Sequence, residues 1–411
     1  MSYRELARAT RSVVFPIGFF ARLPYAMTPL GTLLLLQHAT GSYAFAGAAA
    51  AAQSLAIGMG GVIVGRLADR TSIRRLGVFM AVANAVALAG LLVATFADRP
   101  TLFGAAVLVG ATQPQVGPLI RVHWSYLARS RSEQPGLVTT ALSYEAAADE
   151  ASFIAGPAVV GLLAAVWAPV PAGAPLTACI VLLLAAAVPL AMLYTTAPER
   201  APSRSVAVPL PRAGLAAMCA AMAIMGAIFG TVQVGVTAHA TAADNPSAGG
   251  LLYAALGAGS AIAGIAYAWI PSRVALRTRC RLFALGLLIA MILLSDGGAR
   301  LPLAAVVLVA GTAIAPYMIT IYAITERLAP TRVAITMTIV CAAGPVGTAA
   351  GQSLAGLLVE QSGHRAPLML PPLLAGAALV LAMTNRTMSA DHHSCPDDAV
   401  GPKTDQIVSR G

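Results

Sequence analysis

Apolar segments of about the length of a membrane-spanning helix recur along almost the whole chain. A bilayer core about 30 Å thick needs roughly 20 apolar residues per helix, and the sequence has twelve segments near that length. Because backbone polar groups find no water inside a bilayer, such segments must form helices that satisfy these groups internally. The predicted spans are residues 13–36, 43–64, 77–96, 101–120, 137–166, 176–196, 213–238, 249–270, 282–295, 301–325, 333–358 and 367–384.

The composition supports the same fold class. Hydrophobic residues make up 58% of the chain and charged residues only 10%, whereas an ordinary soluble domain has about 25% charged residues. A soluble fold could not bury so much apolar surface. The sequence therefore predicts an all-α integral membrane protein with twelve transmembrane helices, in contact with the lipid bilayer.

A polar, proline-rich segment divides these spans into six and six. Composition shifts of this kind mark linkers between folded units. We therefore expect an N-terminal six-helix bundle over 1–196, a cytoplasmic linker over 197–212 and a C-terminal six-helix bundle over 213–384. The polar remainder, 385–411, is predicted to be a disordered cytoplasmic tail.

The two halves resemble each other in sequence. His38-Ala-Thr40 recurs as His239-Ala-Thr241, and Gly156-Pro-Ala-Val-Val-Gly161-Leu-Leu163 matches Gly351-Gln-Ser-Leu-Ala-Gly356-Leu-Leu358. The two matches lie at nearly the same offset along the chain. Repeated halves predict two pseudo-symmetric bundles with a binding site between them, near the bilayer midplane, that is exposed alternately to each side.

Basic residues predict the orientation of the chain. The net charge of +10 could indicate nucleic acid as a partner, but the basic residues lie between the apolar spans, which is typical of topology signals. With the N-terminus inside, the internal segments hold 22 basic residues and the external loops hold 3, with Arg22 inside the first span. We therefore expect a multi-pass protein of the cell membrane with both termini in the cytoplasm and no nucleic-acid partner.

The loop between the second and third spans carries a charged motif, which reads Gly65-Arg-Leu-Ala-Asp69-Arg70-Thr-Ser-Ile-Arg74-Arg75. This motif resembles the signature of the major facilitator superfamily at that loop, although Ser72 and Ile73 depart from it. The resemblance covers residues 13–384 and implies that Asp69 and Arg70 form a cytoplasmic latch that holds the outward-facing state closed. The alternative is that the arginines only enforce the topology.

The fifth span carries a second resemblance. Gly156-Pro157-x-x-x-Gly161 is similar to the glycine and proline motif of the family's drug and proton antiporters, which implies an exporter. In these proteins small residues let the helix pack closely on the facing half. Small residues also permit close helix packing for general reasons, so simple packing is the alternative.

Three acidic residues in the fifth span are the strongest signal of function. Glu145, Asp149 and Glu150 lie in an apolar stretch without other charges, and acids inside a membrane protein usually face a wet interior and mark an ion or substrate path. Arg22 in the first span lies at a comparable depth. Crowded carboxylates favour the protonated form and an arginine favours the ionised form, so the cluster could exchange a proton. A static brace between the two helices is the equal alternative.

The fourth span lacks the arginine that relays protons in such exporters. Its middle, from Gly110 to Pro118, has no basic residue, and Arg121 is expected only at the cytoplasmic mouth. On the resemblance, the first, fourth, seventh and tenth spans line the cavity. This implies the cavity residues Tyr25, Gln113, Phe229, Gln233, Tyr317 and Tyr322. Aromatic and amide groups suit an amphipathic organic molecule, although each can instead form a hydrogen bond between helices.

These patterns predict a monomeric secondary active transporter that exports small organic molecules in exchange for protons by alternating access. An importer of a small metabolite would use the same architecture. A polytopic membrane enzyme is disfavoured, because no long loop bears a cluster of acids. We expect no catalytic residues, no metal site and no cofactor, with a proton gradient as the driving force.

Overall fold

The computed structural model describes residues 12–68, 71–129, 137–166, 173–194, 212–271, 273–296, 301–329 and 333–384, and these residues contain no strand. Short 3-10 turns lie at Tyr267–Trp269 and Ala366–Met369, and a π-helical turn lies at Leu183–Ala187. The α-helices in the described ranges are α1 (Val14–Thr40), α2 (Tyr43–Ala68), α3 (Ile73–Ala94), α4 (Arg99–Ala111), α5 (Val116–Arg129), α6 (Leu137–Val166), α7 (Ala174–Leu182), α8 (Val188–Met192), α9 (Arg212–Ala242), α10 (Ala248–Ala266), α11 (Leu276–Ser295), α12 (Leu303–Thr312), α13 (Ile314–Leu328), α14 (Val333–Ser362) and α15 (Leu370–Thr384).

Nine helical stretches within the described residues are long and apolar enough to cross a membrane. The predicted all-α membrane fold is therefore confirmed. The predicted spans 43–64, 101–120 and 333–358 are not among these nine, so the count of twelve stays a prediction. The predicted linker and tail lie almost entirely outside the described residues.

The span predicted at 101–120 is not one continuous helix. The chain leaves the helix between Ala111 and Val116, where Pro114 supplies no N–H group and interrupts the hydrogen-bond ladder. The buried Asn84 of α3 donates to the carbonyl of Val109 at 2.8 Å and to the hydroxyl of Thr112 at 3.0 Å. This side chain provides polar partners at a break that would otherwise be costly in a membrane protein.

The span predicted at 282–295 also needs correction, because α11 begins at Leu276. The sequence prediction stopped at the arginines of this segment. In the structure Arg279 Nη2 donates to the carbonyl of Pro271 at 2.7 Å, and Arg281 Nη2 donates to that of Met383 at 3.2 Å. Long arginine side chains at a helix end can keep their methylene groups on apolar surface while the guanidinium group reaches polar partners.

The same helix contact occurs in both halves. A Cβ atom added at Gly31 of α1 would lie 2.8 Å from Leu176 Cδ2 of α7, and one added at Gly235 of α9 would lie 2.7 Å from Leu368 Cδ2, just before α15. Both contacts join the first helix of a half to the last. This repetition agrees with the predicted pair of pseudo-symmetric bundles.

Each half has its own hydrophobic core, and within the described residues the halves meet mainly along two helix pairs. One core lies mainly within α1–α8 and the other within α9–α15. Between the halves, α2 packs on α14 and α6 packs on α10. The tightest approaches join Tyr43 and Gly47 to Gly356, and Gly161 to Gly250, and looser ones join Gly58 to Pro345 and Gly257 to Ile154 deeper in the protein. The tightest approaches lie toward the end that the basic residues predict to be extracellular.

Candidate functional site

Arg22 of α1 connects to both acids on one face of α6. It forms an ion pair with Glu145, and its Nε donates to Asp149 Oδ1 at 2.8 Å. The side chain of Arg22 is 3% exposed and that of Glu145 is fully buried. The four-residue spacing of the acids places them on the same helical face, so one guanidinium reaches both.

Further hydrogen bonds hold the fully buried part of this cluster, around Glu145. Trp124 Nε1 of α5 donates to Glu145 Oε1 at 2.8 Å, and Arg22 Nη1 donates to the carbonyl of Gly18 at 2.8 Å. Trp124 is itself fully buried. Buried charges are tolerated only when they are paired and hydrogen-bonded, and both conditions are met here.

A second arginine, Arg121 of α5, pairs with Asp149 Oδ2. Sequence reasoning placed Arg121 at the cytoplasmic mouth without a partner in the acidic cluster, and the structure adds its contact with Asp149. The signal was available: α5 and α6 are consecutive and antiparallel, so a base before their connection can face an acid after it. The side chains of Arg121 and Asp149 are 42% and 28% exposed. The cluster therefore has a dry end at Glu145 and a wet end at Asp149.

The break before α5 contributes to the same site. A Cβ atom added at Gly117 would lie 3.4 Å from Asp149 Oδ1, so the carboxylate lies against the first turn of α5. Backbone N–H groups in a first turn have no partner within the helix and carry partial positive charge. The interrupted helix thus places a favourable N-terminus beside Asp149.

Glu150 is not part of the ion-pair network among the described residues, although it lies within electrostatic range of Asp149. One residue beyond Asp149, its side chain leaves α6 about 100° away, and it is exposed. It lies within electrostatic range of Tyr322 in the opposite half, and Arg121 stands in the same relation to Cys341. Glu150 and Arg121 therefore lie near residues of the opposite half.

The predicted cavity residues separate into two groups. Tyr25, Phe229 and Tyr322 are half-buried, as expected for a cavity wall. Tyr317 is only 1% exposed, within the core of the C-terminal half. In this conformation it does not reach a cavity, because α13 turns it inward.

Two predicted amides are also buried. Gln233 accepts a hydrogen bond from Gln352 Nε2 at 2.8 Å, and Gln352 Oε1 accepts from Ser54 Oγ at 3.0 Å. For Gln233 the structure thus shows the alternative role of an interhelical hydrogen bond. Gln113, in the break before α5, is 2% exposed. Sequence reasoning missed Ser54 and Gln352, because polar residues of this kind are common in transmembrane helices.

The predicted cytoplasmic latch is only partly described. Asp69 and Arg70 lie outside the described residues. Gly65 belongs to α2, and Arg74 and Arg75 are exposed in the first turn of α3. The role of the latch stays a prediction.

The glycine and proline motif lies between two helices. A Cβ atom added at Gly161 would lie 2.7 Å from the carbonyl of Ser247, before α10, and one at Gly156 would lie 2.6 Å from Ala26 Cβ of α1. A Cβ atom at Gly250 would lie 2.5 Å from the carbonyl of Pro157. Gly161 therefore allows close packing on the facing half, whereas Gly156 allows it within its own half.

Comparison with known proteins places this architecture in a family. The profile of the Major Facilitator Superfamily matches residues 14–296, which is more than half of the chain. The chain belongs to the major facilitator superfamily. Comparison with curated proteins finds no match.

Solved structures of transporters share the fold. The nucleoside transporter NupG has a TM-score of 0.69 at 13% identity, over 92% of this chain and 98% of that one. A bacterial homologue of the iron transporter ferroportin, in an inward-facing state, has a TM-score of 0.67 at 13% identity, over 93% and 100%. An auto inhibited peptide transporter of the POT family has a TM-score of 0.64 at 12% identity, over 95% and 99%. This member of the superfamily is a multi-pass membrane transporter rather than an enzyme.

Proposed function

We propose that this transporter exports small organic molecules from the cytoplasm in exchange for protons. The observation that carries the proposal is the position of Asp149, which divides its two oxygens between the buried Arg22 and the partly exposed Arg121. This carboxylate connects a buried ion pair to a partly exposed one. A change in its protonation would therefore alter the ion pairs of both arginines.

Protonation of Asp149 would rearrange this network. Arg22 would keep Glu145 as its partner, whereas the contact between Arg121 and Asp149 would lose its charge attraction. Arg121, which already lies near the opposite half, would then present more of its charge to the space between the halves. A proton taken up at Asp149 would in this way change the charge that the cavity presents.

The charge balance suggests why proton and substrate would exchange. With all groups ionised, two arginines and three acids in and beside the cluster leave one negative charge; the groups are Arg22, Arg121, Glu145, Asp149 and Glu150. A proton on Asp149 cancels it. A cationic amphiphile would therefore bind best when Asp149 is ionised, and such negative coupling between two ligands is the basis of exchange. We infer that organic cations are the favoured substrate class.

The conformation supports loading from the cytoplasm. The tightest described approaches between the halves lie toward the end predicted to be extracellular, and Glu150 and Cys341 are exposed. Under the predicted orientation, a closed extracellular side is the arrangement in which an exporter would receive its substrate from the cytoplasm.

Transport in membrane vesicles of known orientation tests the proposal. Inside-out vesicles would be offered a panel of lipophilic cations, antibiotics and sugars, with an acidic interior as the driving force. We expect a lipophilic cation to accumulate, and to leak out when an ionophore collapses the pH gradient. Vesicles without the protein are the control. Gradient-driven uptake seen only in right-side-out vesicles would instead establish the importer.

A further inference from the structure

Glu360, near the end of α14, binds the N-terminus of a helix in the other half. Its Oε1 accepts a hydrogen bond from Ser42 Oγ and another, at 3.1 Å, from the backbone N–H of Ala44. Ser42 Oγ in turn accepts from the N–H of Phe45 at 3.0 Å. The N-terminus of α2 is thus capped by its own serine and by a carboxylate from the opposite half.

The tight turn between α1 and α2 leaves the N-terminus of α2 open to a partner from another helix. Gly41 ends α1 in the left-handed conformation, with φ of 67°, so Ser42 follows directly as the residue before α2. The N–H groups of a first helical turn have no partner within the helix and favour negative charge. An acid that satisfies them usually comes from the same helix, as in a capping box. Here it arrives from α14, so the cap exists only while the halves are together at this end.

Other polar contacts join α2 to the same half. Tyr43 OH donates to Thr241 Oγ1 of α9 at 2.8 Å, and deeper in the protein Ser54 donates to Gln352 of α14. Tyr43 is buried, whereas Glu360 is exposed. Of these contacts between the halves, the hydrogen bonds of Glu360 are therefore the most accessible to solvent.

Hydrogen bonds, with a smaller contribution from a nearby charge, favour the ionised form of Glu360 in this state. Glu360 lies beyond the predicted span 333–358, and the hydrogen bond from Ser42, then that from Ala44, then the charge of Arg99 in α4 hold its pKa below the ordinary value. Arg99 also belongs to the N-terminal half. Among the described residues, the other charged or titratable side chains predicted to lie at this end are His38, Tyr43, Asp98, His239, Asp244, Asp296, His364 and Arg365.

We propose that Glu360 is a positioning residue of the transport cycle, which locks the extracellular gate shut through the N-terminus of α2. The lock goes beyond the proposed exchange of substrate and proton, and it requires only that the halves separate at this end. Glu360 contacts neither the cavity nor the charge cluster at Asp149. Its removal shifts the balance of closed and open states rather than substrate recognition.

Distance measurements between spin labels test the lock without substrate or gradient. In a variant free of native cysteines, labels at Ala97 and Gln361 report the separation of the halves at this end; both sites are exposed. Losing a helix cap typically costs about 1 kcal/mol, so Glu360→Ala should raise the ratio of open to closed protein about fivefold. Glu360→Gln, which keeps an acceptor without the charge, should give a smaller rise.

Control variants distinguish a specific loss of the Glu360 contact from a general disruption of the structure. Asp244→Asn removes an exposed acid at the same end and should leave the distances unchanged. Ser42→Ala should open the gate, and combining it with Glu360→Ala should add less than the sum of the two effects. Unchanged distances in Glu360→Ala, or simple additivity in the double variant, overturn the proposal.

The pH dependence is an independent readout if a variant fails to fold. The pKa of Glu360 is lowered in the closed state, so the lock is present above the ordinary carboxyl pKa of about 4.3 and is lost as pH falls through the lowered value. The unsubstituted label pair should therefore open on acidification in this range. Distances that stay constant down to the lowest pH at which the protein remains folded contradict the lock.

Discussion

Arg22 Nε lies 2.8 Å from Asp149 Oδ1, although 127 positions separate the two residues in sequence. The contact joins the first and fifth predicted spans through a membrane interior, where a charge is costly without a partner. It leaves two roles open for the cluster, coupling to protons and bracing of the helices. The first two predictions below separate these roles by acting on its wet end and its dry end.

At the wet end, we expect Asp149→Asn to abolish uphill transport driven by a pH gradient and to spare downhill exchange. The amide imitates the protonated carboxyl, so the network would stay in one of its two charge states. Flux in reconstituted vesicles, with and without the gradient, measures both activities. Asp296→Asn, near the end of α11, is the control. Full uphill transport by Asp149→Asn would remove this residue from the coupling mechanism.

At the dry end, Glu145→Gln should destabilise the protein, because it weakens the pairing of the buried Arg22. Removing one partner of a buried ion pair typically costs about 3–5 kcal/mol. Thermal unfolding in detergent measures the loss, and Arg22→Gln combined with Glu145→Gln should recover much of it. Glu150→Gln, at an exposed position, should be nearly neutral. A Glu145→Gln protein as stable as the wild type would argue against a brace.

Close packing of α6 on α10 should be needed for the conformation described here. Gly250→Ala places a Cβ atom 2.5 Å from the carbonyl of Pro157 and 2.6 Å from the amide nitrogen of Gly161. Overpacking of this kind typically costs about 1–3 kcal/mol. We expect the variant to populate a more open extracellular side in the spin-label measurement, and to transport more slowly. Gly90→Ala, where a Cβ atom meets open space, should change neither property.

Topology is tested by reporter fusions. The asymmetry of basic residues predicts that fusions at Asp98 and Ser203 report opposite sides of the membrane. Ser203 should be cytoplasmic and Asp98 external. The same side for both positions would contradict the orientation on which the gate and the direction of transport depend.

The cytoplasmic latch is tested by Asp69→Asn. We expect lower transport with normal membrane insertion, because the change removes a charge contact that favours one global state without altering the cavity. Expression and insertion of the variant, checked beside wild type, exclude a folding defect. Normal transport at normal expression would leave topology as the role of the motif's arginines.

Sequence reasoning identified Arg22, Glu145 and Asp149 because charged residues stand out in an apolar span. It included Glu150 in the cluster although helical geometry directs that side chain about 100° away from Asp149, and in the structure Glu150 is exposed. It did not identify Arg121 as a partner of Asp149, because its loop position suited a topology signal equally well. Tyr317 was placed in the cavity by family resemblance, and the packing of α13 directs it into the core.

The sequence by itself determined the membrane class, the repeated halves and most helix positions. These follow from hydropathy, from the recurrence of short segments and from the chemistry of single residues, all of which are local along the chain. Only the tertiary structure decided that Asn84 supports the break before α5, that Asp149 bridges two arginines and that Glu360 caps α2. Each of these contacts depends on which helices become neighbours and on their relative heights. Hydrogen bonds and ion pairs act over about 3 Å, and the spacing of residues along a chain does not specify distances between helices to that precision.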